Sequence, residues 1–254
     1  MHMEFPLVLI LPILGVNMRI ALIGYGKMGK IIERLAKERG HDVVAVFNST
    51  NPYELNTVTH ADVAIEFTRP DTVLAHIEIA IKQSLPIVVG TTAWGNHLSE
   101  VKKMVDSANG SLLYASNFSI GVNIFQQLTE SLARLMTHQP QYKITIDEIH
   151  HVQKLDAPSG TAVTLAEGII SNHVHYNQWV LTEATEATDL LINAHRIPDV
   201  PGTHTIKASS LIDTITLTHE AHNREGFALG AILAAEYLLG KQGVFTMNDV
   251  LKLT

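Results

Sequence analysis

The sequence predicts an α/β protein with two domains, an open parallel sheet with helices on both faces followed by a smaller α+β domain with a mixed sheet. Up to about residue 122, short apolar runs alternate with amphipathic helical patterns, as in a doubly wound sheet. After Tyr142 the pattern changes to β-branched strands with fewer helices. We therefore expect residues 18–122, completed by 222–254, to form the first domain and residues 123–221 to form the second.

The first domain opens on a strand, a glycine loop and a helix. Arg19–Ile23 is a short apolar strand, and the run G-Y-G-K-M-G follows it before a helical pattern begins. A G-x-G-x-x-G motif in this context indicates a dinucleotide-binding unit of Rossmann type. Its glycines permit a tight turn, close approach of a pyrophosphate and close packing of the helix. The candidate cofactor residues of this loop are Gly24, Tyr25, Gly26, Lys27, Met28 and Gly29.

The second strand, Asp42–Phe47, ends without the acidic residue that usually binds the ribose 2′-hydroxyl. Asn48 stands at this place instead, followed by Ser49. An amide can hydrogen-bond a ribose, but it does not repel a 2′-phosphate. The choice between NADH and NADPH therefore stays open.

Three more strands complete the predicted parallel sheet, and helices lie between them. The strands are expected at 61–67, 86–89 and 111–115, and the helices at 71–84 and 98–108. A long amphipathic helix over 124–137 leads into the second domain, and a small-residue-rich helix over 227–239 is expected to pack back on the first. In two segments, 179–187 and 192–196, the order of apolar residues does not distinguish a helix from a strand.

The stretch from Asp147 to Ala162 concentrates the chemistry of the second domain. A strand ends in the adjacent His150 and His151, Lys154 follows, and a Pro-Ser-Gly-Thr turn opens a helix. The free N–H groups of a helix start favour an anion. Adjacent strand residues point to opposite faces, so one histidine is equally compatible with a packed or solvated position. Adjacent residues rarely converge on one ion, and the chain has no cysteine, so we expect no metal centre.

The run E-I-H-H-V-Q-K-L-D-A-P-S-G-T-A, residues 148–162, closely resembles the E-x-H-H-x-x-K-x-D-A-P-S-G-T-A signature of the 4-hydroxy-tetrahydrodipicolinate reductase family. The resemblance extends from about Met18 to the C-terminus. It implies an enzyme of lysine and diaminopimelate biosynthesis that reduces a cyclic dicarboxylate with NADH or NADPH. It also implies a cytoplasmic homotetramer that assembles through the second domain.

The resemblance further implies roles for individual residues. His150 would donate or accept a proton, and Lys154 would be the second acid. A substrate carboxylate would be held by His151 and by the turn at Ser159, Gly160 and Thr161. Arg224 is a weaker candidate for a carboxylate contact, because a surface or inter-domain ion pair explains it equally well.

Several strand ends of the first domain match the family's cofactor loops. The residues carried over in this way are Phe67, Gly90, Thr91, Thr92, Ala115, Ser116, Asn117 and Phe118, besides Asn48. The Gly-Thr-Thr run is also compatible with an ordinary strand-to-helix turn. The sequence departs from the family in two places: it lacks the usual acidic and basic pair at 48–49, and Pro198 replaces a glycine in the loop 196–202.

Composition excludes some functions and leaves one terminal segment open. A formal net charge of −7 without a basic cluster argues against a nucleic-acid partner. The absence of cysteine excludes disulfides and thiolate metal sites. The apolar run 5–16 is too short to span a membrane and lacks signal-peptide features, so we interpret residues 1–17 as an upstream extension. A membrane anchor is the alternative.

Two other functions compete with the reductase. One is a non-catalytic dinucleotide-sensing protein, and the other is a different imine or amino-acid dehydrogenase on the same scaffold. Both would keep the glycine loop, but neither would need the 148–162 signature.

Overall fold

The computed structural model describes residues 17–54, 57 and 60–253, which form two compact units. One unit runs to Ser119 and resumes at Glu225, and the other comprises Ile120–Arg224. The sequence had placed these junctions after residues 122 and 221. The proposed upstream extension falls on residues 1–16, which lie outside the described residues, and on Asn17.

The chain forms strands and helices in the alternation that the sequence predicted. The strands are β1 (Arg19–Ile23), β2 (Asp42–Phe47), β3 (Val63–Glu66), β4 (Ile87–Val89), β5 (Ser111–Tyr114), β6 (Lys143–His150), β7 (Gln178–Leu181), β8 (Asp189–Arg196), β9 (Thr203–Ser209), β10 (Thr214–Glu220) and β11 (Gly243–Phe245). The helices are α1 (Lys27–Glu38), α2 (Val73–Lys82), α3 (Leu98–Ser107), α4 (Ile120–Met136), α5 (Gly160–Asn172), α6 (Glu225–Leu238) and α7 (Met247–Leu251), with a 3₁₀ turn at Gly95–His97.

The first unit is built on a six-stranded parallel sheet in the order β11-β5-β4-β3-β1-β2. Successive residues of its strands point to opposite faces. Ile20 and Leu22 of β1 pack with α1, α6 and α7, whereas Ala21 and Ile23 pack with α2 and α3. Both faces are thus covered by helices, and the predicted doubly wound sheet is confirmed. The carboxyl ends of its strands share one edge, where ligands bind in such sheets.

The second unit contains a mixed five-stranded sheet in the order β10-β9-β6-β8-β7. β9 is antiparallel to β6 and β10, while β8 is parallel to β6 and β7. The core lies between the sheet and the helices α4 and α5, and includes Ile144, Ile146 and Leu165. The predicted α+β unit is confirmed, and the two ambiguous segments contain most of β7 and part of β8.

Three details of the elements differ from the prediction. α4 begins at Ile120 rather than at residue 124, so the helix includes Gly121 in its first turn. β11 has three residues and α7 has five, so neither is long enough to show a period. α7 is defined instead by a capping box between Thr246 and Asp249.

Candidate active site

The glycine loop of the first unit is shaped by close backbone contacts. Gly24 has a φ of +96°, and its amide donates to the carbonyl of Phe47 at 2.9 Å. A Cβ at Gly24 would lie 2.1 Å from the carbonyl oxygen of Phe67, and one at Gly29 would lie 2.4 Å from the carbonyl oxygen of Gly24. Two of the three motif glycines are therefore required by the fold itself.

The third glycine, Gly26, has a different surrounding. It precedes the first residue of α1, and a Cβ there would meet no atom within 4 Å. Open space in front of the unpaired amides of a helix start suits a pyrophosphate. Lys27 is exposed at this helix start, Tyr25 donates its hydroxyl to Glu33, and Met28 packs against the core. The loop therefore fits the dinucleotide that the sequence predicted.

Asn48 lies at the end of β2 and shapes a turn. Its side-chain oxygen accepts the amide of Thr50 at 2.9 Å, the hydroxyl of Thr50 at 2.8 Å and the amide of Asn51 at 3.1 Å. The oxygen is thus engaged in an Asx turn. The side-chain NH₂ is the group that remains to approach a ribose.

Phe67, Gly90 and Phe118 form a tight cluster at the ends of β3, β4 and β5. A Cβ at Gly90 would lie 2.2 Å from the ring of Phe67, whose centroid is 5.8 Å from that of Phe118. Thr91 is buried and accepts the amide of Thr68 at 2.8 Å. The fold itself therefore explains why Gly90 and Thr91 occupy these positions, independently of a cofactor. The remaining candidates of this edge are the partly buried Ala115 and Asn117 and the exposed Thr92 and Ser116.

In the second unit, the buried face of β6 changes from apolar to ionisable along the strand. Ile144, Ile146, Glu148 and His150 alternate with half-buried residues, and all four are buried. The first two belong to the core, while the last two lie at the carboxyl end of the strand. β9 pairs His204 with Glu148 in register.

Glu148 is fully buried and lies at the centre of a group of polar residues. One of its oxygens, Oε1, accepts the amide of Ser159 at 3.0 Å and two guanidinium N–H groups of Arg196 at 3.3 and 3.4 Å. The other oxygen, Oε2, lies 3.1 Å from Nδ1 of His150 and 3.8 Å from Nε2 of His204. We call Glu148, His150, Ser159, Arg196 and His204 the Glu148 network.

The two histidines of the Glu148 network are in edge-to-face contact, with ring centroids 5.1 Å apart. Burial, and to a lesser degree the neighbouring His150, lower the pKa of His204 to about 4, so this imidazole is neutral at neutral pH. Burial would raise the pKa of Glu148, but the nearby imidazole of His150 and the hydrogen bonds from Ser159 outweigh it and set the pKa at about 2. The carboxylate is therefore ionised.

Ser159 connects this network to the start of α5. Its hydroxyl oxygen accepts the amide of Ala162 at 3.2 Å as the N-cap and lies 3.1 Å from Nε2 of His204. Gly160 and Thr161 follow in the first turn of the helix, and a Cβ at Gly160 would meet no atom within 4 Å. The helix start is thus held in place and leaves open space where the sequence predicted a carboxylate.

The loop after β6 is held by Arg196, whose guanidinium donates to the carbonyls of Lys154 at 3.2 Å and Asp156 at 2.5 Å. Lys154 forms an ion pair with Asp156 at 2.8 Å. The cis peptide bond between Ala157 and Pro158 follows. Two cationic side chains, Lys154 and Arg196, are therefore brought next to the carboxyl end of β6.

Two further predicted residues, His151 and Arg224, lie outside the Glu148 network. His151 is half-buried directly after β6, and its Nδ1 is buried without a hydrogen-bond partner among the described residues. Arg224 is exposed where the second unit ends. Its role as a carboxylate contact stays a prediction.

Comparison with known proteins identifies the family of the chain. The family model described as "Dihydrodipicolinate reductase, N-terminus" matches residues 18–118, and the one described as "Dihydrodipicolinate reductase, C-terminus" matches residues 121–251. The chain belongs to the dihydrodipicolinate reductase family. It is an NAD(P)H-dependent oxidoreductase of the lysine and diaminopimelate pathway, as members of this family are.

Individual relatives agree with this assignment. The chain is 45% identical over 235 residues to a 4-hydroxy-tetrahydrodipicolinate reductase of Christiangramia forsetii, covering 92% of this chain and 98% of the relative. It is 34% identical over 250 residues to the enzyme of that name in Staphylococcus aureus, covering 92% and 100%. A dipicolinate-bound dihydrodipicolinate reductase from Paenisporosarcina has the same fold, with a TM-score of 0.73 at 22% identity over 92% of this chain and 99% of that one. The two competing functions are not favoured.

Three residues of the Glu148 network were not among the sequence candidates: Glu148, Arg196 and His204. A period-2 pattern could have found two of them. Glu148 continues the buried face of Ile144 and Ile146, and His204 continues that of Ile206 and Ala208 in β9. Arg196 has no such pattern, because its position depends on the pairing of β6 with β8.

The Glu148 network also offers a set of atoms that could act as metal ligands. One atom each from Glu148, His150 and His204 lies within 4.8 Å of the others. The same carboxylate already binds the guanidinium of Arg196, which disfavours a second cation beside it. The absence of a metal centre stays a prediction.

Among the residues described, no helix is both long and apolar enough to cross a membrane.

Proposed function

We propose that this protein reduces 4-hydroxy-tetrahydrodipicolinate to tetrahydrodipicolinate, with residues 18–122 and 222–254 binding the cofactor and residues 123–221 binding the substrate. The reaction takes up one hydride and one proton and releases the hydroxyl group as water. The convergence of His150, Lys154, Arg196 and the start of α5 at the end of β6 carries this proposal. Such a site matches a substrate that needs a proton and bears two carboxylates.

The roles of the residues follow from this arrangement. His150 delivers the proton, and Lys154 is the second acid and a point charge for a carboxylate. The N–H groups of Gly160 and Thr161, with the side chains of Ser159 and His151, hold a carboxylate at the helix start. The Paenisporosarcina enzyme of the same fold binds dipicolinate, which is itself a dicarboxylate.

The first unit binds the dinucleotide at the edge that carries the glycine loop. When bound, the nicotinamide supplies the hydride. Gly26 leaves room for the pyrophosphate, and Phe67, Gly90 and Phe118 form an apolar wall beside which a flat ring can lie. NADH and NADPH are both accepted, since no acid stands at Asn48 to repel a 2′-phosphate.

We also propose a cytoplasmic homotetramer that assembles through the second unit. β10 is an edge strand whose residues are mostly exposed, and Leu211 and Ile212 are fully exposed in the turn before it. Exposed edges and apolar side chains of this kind are usually covered by a partner. Light scattering on the purified protein tests the mass, and Ile212→Asp should lower it.

One assay tests the reaction. The condensation product of pyruvate and aspartate semialdehyde is supplied, and oxidation of NADH or NADPH is followed near ~340 nm, the absorption band of the reduced nicotinamide. We expect oxidation that depends on the product and on the protein. Oxidation without the product, or none with it, would contradict the proposal.

A further inference from the structure

We propose that Glu148 and His204 are positioning residues that hold His150 with Nδ1 towards the carboxylate and Nε2 towards the substrate. The inference rests on the proposed role of His150 as the proton donor, and it assigns the group that sets its orientation.

The two oxygens of Glu148 have different surroundings. Oε1 accepts three N–H groups, one from Ser159 and two from Arg196. Oε2 has no hydrogen-bond partner of its own among the described residues, and neither has the buried Nδ1 of His150, which lies 3.1 Å away. A buried unpaired polar atom is costly. A proton on Nδ1 satisfies both atoms at once, so the carboxylate selects the Nδ1–H form of the imidazole.

The opposite nitrogen of His150, Nε2, lies beside Gly202. A Cβ at Gly202 would lie 3.0 Å from Nε2 of His150, so a side chain at this position would press on that atom. The carbonyl of Gly202 accepts the amide of Ala221 at 2.9 Å, which fixes the loop. A glycine therefore leaves the space beside Nε2 clear, and Nε2 is the nitrogen that exchanges a proton with the substrate.

A second imidazole, that of His204, lies beside the same carboxylate. His204 is neutral at neutral pH, because burial holds its pKa at about 4. Its Nε2 lies 3.1 Å from the hydroxyl of Ser159, and its ring contacts that of His150 edge to face. His204 thus fixes the ring plane of His150 without adding a positive charge, and the carboxylate remains available to stabilise a protonated His150.

The charged and titratable groups around His150 are therefore Glu148 on its own strand, His204 on β9, Arg196 on β8 and Lys154 in the following loop. Glu148 supplies the one negative charge named in this group. Its removal should therefore change the pH dependence of the rate, which a purely structural role of the carboxylate would not do.

The test compares Glu148→Gln and His204→Gln with a matched control, Asp147→Asn. Asp147 is the neighbouring carboxylate of β6, and it forms an ion pair with Lys207 at 2.7 Å outside the Glu148 network. We expect kcat to fall about 10–100-fold in Glu148→Gln, the typical loss when an orienting partner is removed. Its KM for NADH should be unchanged. Its pH–rate profile should differ from that of the unmodified protein, because the ionised carboxylate beside the imidazole of His150 is gone. Asp147→Asn should retain both the rate and the profile.

The orientation is measured directly by the imidazole ¹⁵N shifts of His150, which require no substrate. We expect Nδ1–H in the unmodified protein and a mixture of tautomers in Glu148→Gln and in His204→Gln. If the variants unfold more readily yet keep the kcat, the pH profile and the tautomer, Glu148 and His204 are structural only and the inference is wrong. If the unmodified protein shows no reductase activity, the proposed function fails, while the ¹⁵N shifts still decide the orientation.

Discussion

The glycine loop of the first unit and the Glu148 network of the second prepare a binding edge in opposite ways. The loop achieves close backbone approach by omitting side chains, at Gly24 and Gly29, and leaves the space beside Gly26 empty. The network instead packs a buried carboxylate and two buried imidazoles against a half-buried guanidinium. The glycine loop depends on shape, and the Glu148 network depends on charge. Substitutions in the loop should therefore affect folding and cofactor binding, whereas substitutions in and around the network should affect catalysis and its pH dependence.

The largest effect is expected on kcat, from a substitution of Lys154 in the second unit. Lys154→Ala should lower kcat about 10²–10⁴-fold, the usual range for a lost acid. The affinity for NADH should be nearly unchanged, because Lys154 belongs to the second unit. Steady-state kinetics and NADH fluorescence titration measure the two quantities. Lys143→Ala, at the exposed start of β6, is the control. If NADH affinity falls as far as kcat, Lys154 contacts the cofactor and the assignment is wrong.

Acid should destabilise the protein partly by protonating residues of the Glu148 network. The folded-state pKa of His204 is about 4 against an ordinary 6.5, and that of Glu148 is about 2 against 4.5. Both groups bind protons more readily when unfolded. Their stability contribution is therefore complete above about pH 6.5 and is lost as the pH falls, first through His204 and then through Glu148.

The loss should be at most about 3.5 kcal/mol for each group, because a tenfold difference in proton affinity between the folded and unfolded states corresponds to about 1.4 kcal/mol. Urea unfolding between pH 7 and pH 4 measures it. In His204→Gln the free energy of unfolding should vary less over this range. An equally steep dependence in the variant would exclude His204 as the cause.

In the glycine loop, two substitutions should distinguish an effect on folding from an effect on cofactor binding. Gly29→Ala places a Cβ against the carbonyl of Gly24 and should lower the free energy of unfolding by about 1–3 kcal/mol. Gly26→Ala meets open space, so the fold should tolerate it while NADH binds more weakly. Urea unfolding and NADH titration measure both variants. Tight NADH binding by Gly26→Ala would place the pyrophosphate elsewhere.

The smallest effect is expected at Asn48. The kcat/KM values for NADH and NADPH should differ by less than about 30-fold, or about 2 kcal/mol. Asn48→Asp should shift the ratio towards NADH, because a carboxylate repels the 2′-phosphate, and Ser49→Arg should shift it towards NADPH. A several-hundredfold preference in the unmodified enzyme would mean that another residue controls this position.

The same contrast explains how much could be predicted from the sequence. The glycine loop is contiguous, so a motif and its flanking strand and helix were sufficient to predict it. His150, Lys154 and Ser159 were found in the same way, in one continuous run. Arg196 and His204 lie on other strands and reach Glu148 only through sheet pairing. Their place depends on β-sheet register, which a single sequence does not fix.

The discontinuity of the first unit has a consequence for synthesis on the ribosome. The second unit is one continuous stretch, Ile120–Arg224, and all of its strands can pair as soon as it emerges. The first unit lacks α6, β11 and α7 until the residues that follow Arg224 have been translated. During that interval the nascent sheet exposes the apolar face that α6 later covers and leaves β5 as an open edge. This interval is when the chain is most exposed to aggregation, and when a chaperone would act.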